Sequence, residues 1–412
     1  MRRVLLIGAA LIIAFTASAQ ETKSVDQNEK NTSEISTRLE KSEKRLAVLE
    51  KVRQYVKFSG FIQGEYDWID NSADRGKTGT SSFYIRRARL MVSGDLYRGA
   101  KGAKIDYRLY LDIARVKLPN PNPILDMYVR YQPCKEFGIQ FGQFKNPITF
   151  EASISPAQYD FIDFSYVVSN LAKMGANDLT GYNATARDAG FQLFGGFLHR
   201  DGYSIINYNV GVLNGNGINA KDDNKSKDVF GRLTLNVNKE LALTTYYQWG
   251  EANLSGLSAE RYAEYDWNGS AEYVMFQRVG CGLKYDTKRA FIRGEYITGL
   301  TGNLISEGAY LSGGYRHHFQ KKNAGMMWAC GMVDYFCRSC VYNTERDTEY
   351  GPIDMRYSLC LGYAPIKYFH IQLAYSLEHR IDHNLGQAAN CCGWTRQTPF
   401  GNAIKLMATA SF

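Results

Sequence analysis

The chain has 412 residues, 45% of them apolar and 22% charged, with 38 Gly against 9 Pro and a formal net charge of +8. That balance excludes a disordered chain or a collagen, and a mean hydropathy of −0.34 argues against a bundle of membrane helices, each needing about 18 apolar residues in a row. The 29 Tyr and 21 Phe beside only 5 Trp point to strands, and to a barrel whose aromatics anchor it at a membrane interface.

Arg2-Arg3, the apolar stretch from Val4 to Phe15 and Ala17-Ser18-Ala19 read as a secretory signal of residues 1–19, cut before Gln20. The apolar stretch is short for a membrane anchor, and no Cys follows the cut to carry a lipid. The mature chain is therefore expected to leave the cytoplasm. Residues 20–55 form a polar periplasmic segment. Within it Ile35, Leu39, Leu46, Leu49 and Val56 fall on a 4-3 spacing, with Ser42 and Arg53 in the same register. Those two polar seam residues leave a coiled coil and a single amphipathic helix or tether equally open.

From residue 56 to 412 the chain alternates with a period of two. In Lys104–Ile113, Ile105, Tyr107, Leu109 and Leu111 take one face and Asp106, Arg108 and Asp112 the other. Asp228–Asn238 and Asp354–Tyr363 repeat the pattern. Roughly sixteen such segments follow one another, the first near Val56 and the last near Phe400. The connections alternate too. Those near 98–103, 133–136, 200–202, 239, 287–288, 319–324 and 364–366 are short, whereas 69–82, 114–123, 146–188, 214–227, 251–270, 300–307, 337–352 and 379–399 are longer. An even strand number with short turns on one rim and long loops on the other predicts an all-β fold, a 16-stranded antiparallel transmembrane β-barrel preceded by a short helical segment.

Ile404, Leu406, Ala408, Ala410 and Phe412 share one face of the last strand, an ending similar to that of bacterial outer-membrane barrels. A secreted sandwich would bury both faces of many strands, and a propeller would show a blade-length repeat, which is absent. A barrel this wide cannot be filled by its own side chains, so its lumen is expected to hold water and its inward charges to need no buried partner. A water-filled tube through a membrane is a pore.

Four segments resemble the phosphate-selective porin O and P family of bacterial outer-membrane channels. They are Phe83-Tyr84-Ile85-Arg86-Arg87-Ala88-Arg89-Leu90, then Phe141-Gly142-Gln143-Phe144-Lys145-Asn146-Pro147 with Glu151, then Arg187-Asp188-Ala189-Gly190, and Asn214-Gly215-Asn216-Gly217 through Asp222 and Asn224. The resemblance implies a sixteen-stranded homotrimer in which an infolded third loop, here 146–188, shapes a constriction lined by Arg and Lys.

By parity Arg87 and Arg89 share a face with Ser93 and Asp95, opposite Ala88, Leu90 and Val92, and point into water. Arg108, Arg130, Arg232, Lys284, Arg293, Arg356 and Lys405 have inward parity as well, whereas that of Lys145 is ambiguous. The candidate anion-binding, pore-lining residues are Arg87, Arg89, Lys145, Arg108, Arg130 and Arg232. Their planar or point-charge donors suit phosphate and carboxylate oxygens. Pairing with neighbouring acids is the structural alternative for Arg87 and Arg89. Asp106, Asp112, Asp126, Asp228, Glu295 and Asp354 also have inward parity, which predicts a mixed field in the lumen. The expected function is a passive channel for small hydrophilic solutes in the outer membrane, favouring anions such as phosphate. A general or sugar-selective porin and a plugged structural or adhesive barrel are the competing readings.

Eight Cys are present, among them Cys337 and Cys340 in one long loop and Cys391-Cys392 in the next, with His379 and His383 nearby. Disulfides, free thiols and a metal site all fit these spacings. Cys281, Cys330 and Cys360 fall within strands and Cys134 at a turn. The six His accompany no nucleophile signature, and Glu378–His383 is not the His-Glu-x-x-His zinc pattern. No enzymatic activity, cofactor or metal is expected, and the scattered basic residues do not form a nucleic-acid surface. The expected partners are small anionic or polar solutes, outer-membrane lipid and two further copies of the chain.

Overall fold

The computed structural model describes residues 25–70, 79–99, 102–114, 123–174, 185–222, 224–254, 272–320, 325–338, 353–382, 396–397 and 401–412. The expected signal peptide, Cys340, Cys391, Cys392 and His383 lie outside the described residues. The chain divides into two compact units, one ending at Val56 and the other Lys57–Phe412. The first contains helix α1 (Val25–Tyr55), on which Lys44 and Glu40 pair one turn apart at 2.6 Å. Ile35, Leu39, Leu46, Val48 and Val52 stay exposed along it.

The second unit is a single closed sheet. Its first half comprises β1 (Lys57–Asp70), β2 (Thr80–Arg98), β3 (Lys104–Asp112), β4 (Ile124–Gln132), β5 (Gly138–Lys145), β6 (Arg187–Arg200), β7 (Tyr203–Leu213) and β8 (Asp228–Asn236). The second comprises β9 (Leu241–Asn253), β10 (Tyr273–Asp286), β11 (Ala290–Thr301), β12 (Leu304–His318), β13 (Met326–Cys337), β14 (Ile353–Ile366), β15 (Phe369–Asp382) and β16 (Gly401–Ser411). Every strand pairs antiparallel with its sequence neighbours. β1 closes the circle by pairing with both β2 and β16, so that Phe61 faces Arg89 on one side and Ser411 on the other. Arg396–Gln397 adds a two-residue ladder beside β15. Among the described residues there are sixteen long strands, and all but β5 reach the roughly nine residues that a tilted membrane-crossing strand requires.

The two faces of the sheet invert the usual order of a soluble protein. Leu311 and Leu359 are each 63% exposed, whereas Arg293 is 4% and Asp334 1% exposed. Apolar side chains facing out and polar ones facing in are what a hydrocarbon exterior and a polar interior demand. One expected loop is absent: β11 and β12 join through a tight turn at Gly302, where φ is +56°. Residues 304–307, expected within that connection, belong to the strand: Leu304 and Ser306 continue the inward alternation, with Ile305 facing out.

Residues 146–174 fold into the barrel. Thr149 caps a short helix α2 (Phe150–Ser153), Pro156–Gln158 form a 3-10 turn, and Ser165 caps helix α3 (Tyr166–Leu171). Ile148, Tyr159, Phe161, Val167, Val168 and Leu171 form an apolar core against Phe230, Tyr246, Phe291, Ile297, Tyr310 and Trp328 of the barrel wall. The lumen is thus partly filled by its own loop. This corrects the expectation that inward charges need no buried partner: where the loop displaces water, the wall charges are desolvated and must be paired.

Candidate functional site

Strict alternation along β2 would put Arg86 on the outward face with Ala88. Instead, the β1–β2 register shifts between Gln63 and Gly64, where Gln63 pairs with Arg87 and Gly64 with Ile85. This β-bulge leaves Arg86 as the extra residue, so Arg86 and Arg87 both turn inward. Arg86 bonds Glu65 and, through Nη2, Asp163 Oδ1 of the loop at 2.6 Å. Arg87 Nη1 donates to Gln63 Oε1 at 2.8 Å, and Gln63 in turn donates to the loop carbonyl of Pro156. Arg89 Nε donates to Asp112 Oδ2 at 2.9 Å, with its guanidinium over the rings of Phe61 and Tyr110.

These three arginines border a cavity of about 590 Å³ between β2, the ends of β5 and β6, and the infolded loop. Lys145, Arg187, Arg356 and Lys405 also line it, along with Phe164, Tyr166 and Asn170. Lys145 Nζ lies 5.8 Å from the Phe164 ring centroid. Arg187 donates to Asp126 at 2.6 Å, Arg356 to Asp334 at 3.0 Å, and Lys405 to Asp163 at 2.6 Å. Burial alone would raise the Asp163 carboxyl, but Arg86 and Lys405 hold it below the usual range, so it remains an anion. Seven cations therefore meet five carboxylates: Glu65, Asp112, Asp126, Asp163 and Asp334. Arg87 and Lys145 are the two without a carboxylate at ion-pair distance among the described residues. A concave site with surplus fixed positive charge, its remaining cations locked in place, can attract and hold an oxyanion without reorganising.

The other sequence candidates lie elsewhere. Arg108 approaches Asp126 at 3.7 Å, and Arg130 forks onto Asp106 at 3.0 Å. Arg232 Nη1 donates to the loop carbonyl of Pro147 at 2.6 Å and stacks over Phe150, which makes it an anchor of the loop. Sequence reading missed Arg86 as a lumen residue and did not single out Arg187, Arg356 or Lys405 as site residues. Arg356 and Lys405 already had the right parity. Two adjacent arginines in an alternating strand were the available sign of a bulge.

A separate carboxylate cluster fixes the loop to the wall. Glu295 accepts from the backbone N–H groups of Phe150 and Glu151, and Tyr310 donates to it as well. Glu151 accepts from Tyr159 and from the Ser165 amide and hydroxyl. Burial pushes the Glu151 carboxyl up to about 7, against the pull of the Ser165 and Tyr159 donors and with the help of the Glu295 charge.

The cysteines divide. Cys330 and Cys360 are buried thiols facing each other across β13 and β14, as small inward side chains would be. Cys281, also within a strand, is an exposed thiol on the outer face. Among the described residues no cluster of His, Cys, Asp and Glu is placed to hold a metal ion.

No curated protein matches this sequence. Several solved barrels share the fold at low identity. The chain is similar to an anion-selective porin from Comamonas acidovorans, at 11% identity and a TM-score of 0.59, with 87% of this chain and 99% of that one covered. It is also similar to OprB of Pseudomonas putida, at 10% identity and 0.57, covering 88% and 96%. The trimer form of OmpT from Vibrio cholerae matches at 10% and 0.56, covering 87% and 99%. The model of the phosphate-selective porin O and P family matches residues 56–387, most of the chain. With the closed sixteen-stranded barrel and its inverted polarity, this match identifies the chain as a member of the phosphate-selective porin O and P family, an outer-membrane porin.

Proposed function

We propose that the channel passes small hydrophilic solutes passively and prefers anions, with phosphate-like oxyanions held in the cavity beside β2. The observation that carries this is the excess of seven cations over five carboxylates at the infolded loop. Arg87 and Lys145 make the direct contacts. Arg89 and Arg187 supply field while fixed by Asp112 and Asp126. The trimer form of OmpT, and the anion selectivity of the Comamonas porin, support assembly as a homotrimer and the same charge preference here. Residues 1–19 act as the export signal, and lipid surrounds the apolar outer face.

Transport needs no cofactor or energy source. An anion enters from the long-loop rim, exchanges part of its hydration for guanidinium and ammonium donors, and leaves because no single contact is a closed ion pair. The extensive pairing of the lumen cations favours one alternative, a general diffusion porin with weak charge preference.

The test is a planar bilayer under a KCl gradient. The reversal potential should have the sign of chloride permeation, and added phosphate should reduce chloride current. Arg87→Ala should weaken anion preference by about fivefold, since a close contact in a wet lumen is worth about 1 kcal/mol. A cation-selective reversal potential rejects the anion reading. Phosphate-independent current with intact anion preference leaves a general anion porin.

A further inference from the structure

The rim that carries the short turns holds a second arrangement, remote from the lumen loop. His199 lies near the end of β6, opposite Ser204 of β7 across the hairpin. The Ser204 hydroxyl stands 2.8 Å from His199 Nδ1, and His199 Nε2 stands 2.9 Å from Glu136 Oε1 in the turn between β4 and β5. A carboxylate can only accept, so Nε2 carries the ring proton and the Nδ1 lone pair faces the serine O–H. The Glu136 backbone N–H, the Cys134 thiol and His199 hold this carboxyl below its usual range, so it is ionised. Nucleophile, base and orienting acid are thus connected in sequence.

Three further features support the arrangement. Leu198, the neighbour of His199 in the chain, is held in the left-handed region at a φ of +55°. Non-glycine residues held there are unfavourable and gather at functional sites. Gly196 leaves room where the groups converge, because a Cβ there would stand 2.4 Å from Ser204 Oγ and 2.7 Å from Asn207 Oδ1. A cavity of about 660 Å³ opens beside the serine, lined by Gln132, Lys135, Phe194, Tyr203, Asn207 and Asn209. That volume suits a small ligand, and Lys135, Arg200 and Asn207 are among the donor-bearing side chains that line it.

We infer that Ser204, His199 and Glu136 form a hydrolytic site for short-chain O-acyl esters of polar alcohols at the turn-bearing mouth of the barrel. Ser204 Oγ attacks the ester carbonyl carbon as its proton passes to His199 Nδ1. The C–O bond to the alcohol breaks, and the alcohol leaves with that proton. A water then gives its proton to Nδ1 and its oxygen to the acyl carbon, which releases the acid and restores Ser204. The sum is ester plus water to acid plus alcohol, with no other reactant. Ser204 and His199 are catalytic residues, and Glu136 is a positioning residue that fixes the imidazole tautomer.

The purified full chain in detergent is assayed with p-nitrophenyl acetate and labelled with a fluorophosphonate. Labelling is expected at Ser204, located by mass spectrometry of the wild-type protein, which needs no variant to fold. Ser204→Ala and His199→Ala should each lose tenfold or more in hydrolysis while keeping wild-type single-channel conductance. Glu136→Gln should lower kcat with little change in KM, because the imidazole loses the acceptor that fixes its tautomer, and Glu136→Asp should restore part of the rate. A fluorophosphonate that leaves Ser204 unmodified, or hydrolysis that survives Ser204→Ala, overturns the assignment.

Discussion

Two side chains show how much a single residue's surroundings decide. Arg87 and Arg89 are two apart on one strand and look equivalent, yet Arg89 is closed onto Asp112 while Arg87, among the described residues, donates to the Gln63 amide oxygen and to no carboxylate. A guanidinium already paired in a desolvated site has little left to offer a passing ion, which is why the proposed solute contacts are Arg87 and Lys145. Glu151 is the opposite case, an acid buried with hydroxyl and amide donors. Its folded pKa of about 7 lies above the usual 4.5, so the native state holds the proton more tightly than the unfolded one. The stability it contributes is complete below about pH 4.5 and is lost as pH rises through 7, by up to roughly 3 kcal/mol. We expect current noise from the loop to grow between pH 5 and 8 in the wild type and to stay flat in Glu151→Gln, as single-channel recording at matched ionic strength would show. Equal pH dependence in both proteins removes Glu151 as the titrating group.

At the level of elements, the loop is held by many weak ties and one hub. The Asp160 carboxylate accepts from Arg293 at 2.9 Å and Arg316 at 2.8 Å, and its carbonyl accepts from Trp328 and Gln372 at 3.0 Å each. Asp160→Ala strands two guanidinium groups that still share Asp286, at a cost of about 3 kcal/mol. The sheet should survive, because its sixteen ladders do not involve this carboxylate. The expected result is therefore a heat-modifiable, folded barrel with higher and noisier conductance, read on gels and in bilayers. Unchanged conductance would mean that the loop does not limit current. The strands themselves were legible because each one faces two different media, which forces alternation. The loop was legible only as a long gap, since its path depends on partners from β1, β2, β8, β9, β11, β12, β13, β15 and β16.

For the molecule as a whole, the outer face makes the membrane claim testable. Leu359 projects outward from β14 beside Leu311 and Val333. Leu359→Arg should destabilise the barrel by about 2–4 kcal/mol in lipid, measured by urea unfolding in bilayers. In a soluble protein an arginine at so exposed a position would be tolerated, and tolerance here would contradict a lipid-facing surface. The same two-sided environment explains what could be read in advance. Sequence alone determined the barrel, its strand number, the rim asymmetry and the inward parity of most charges, because period-two patterning is local and repeated sixteen times. Only the tertiary structure decided which charges stay open to solute. A bulge at Arg86 and an infolded loop reset parity and remove water across the lumen, and pairing between residues a hundred positions apart leaves no local periodic trace.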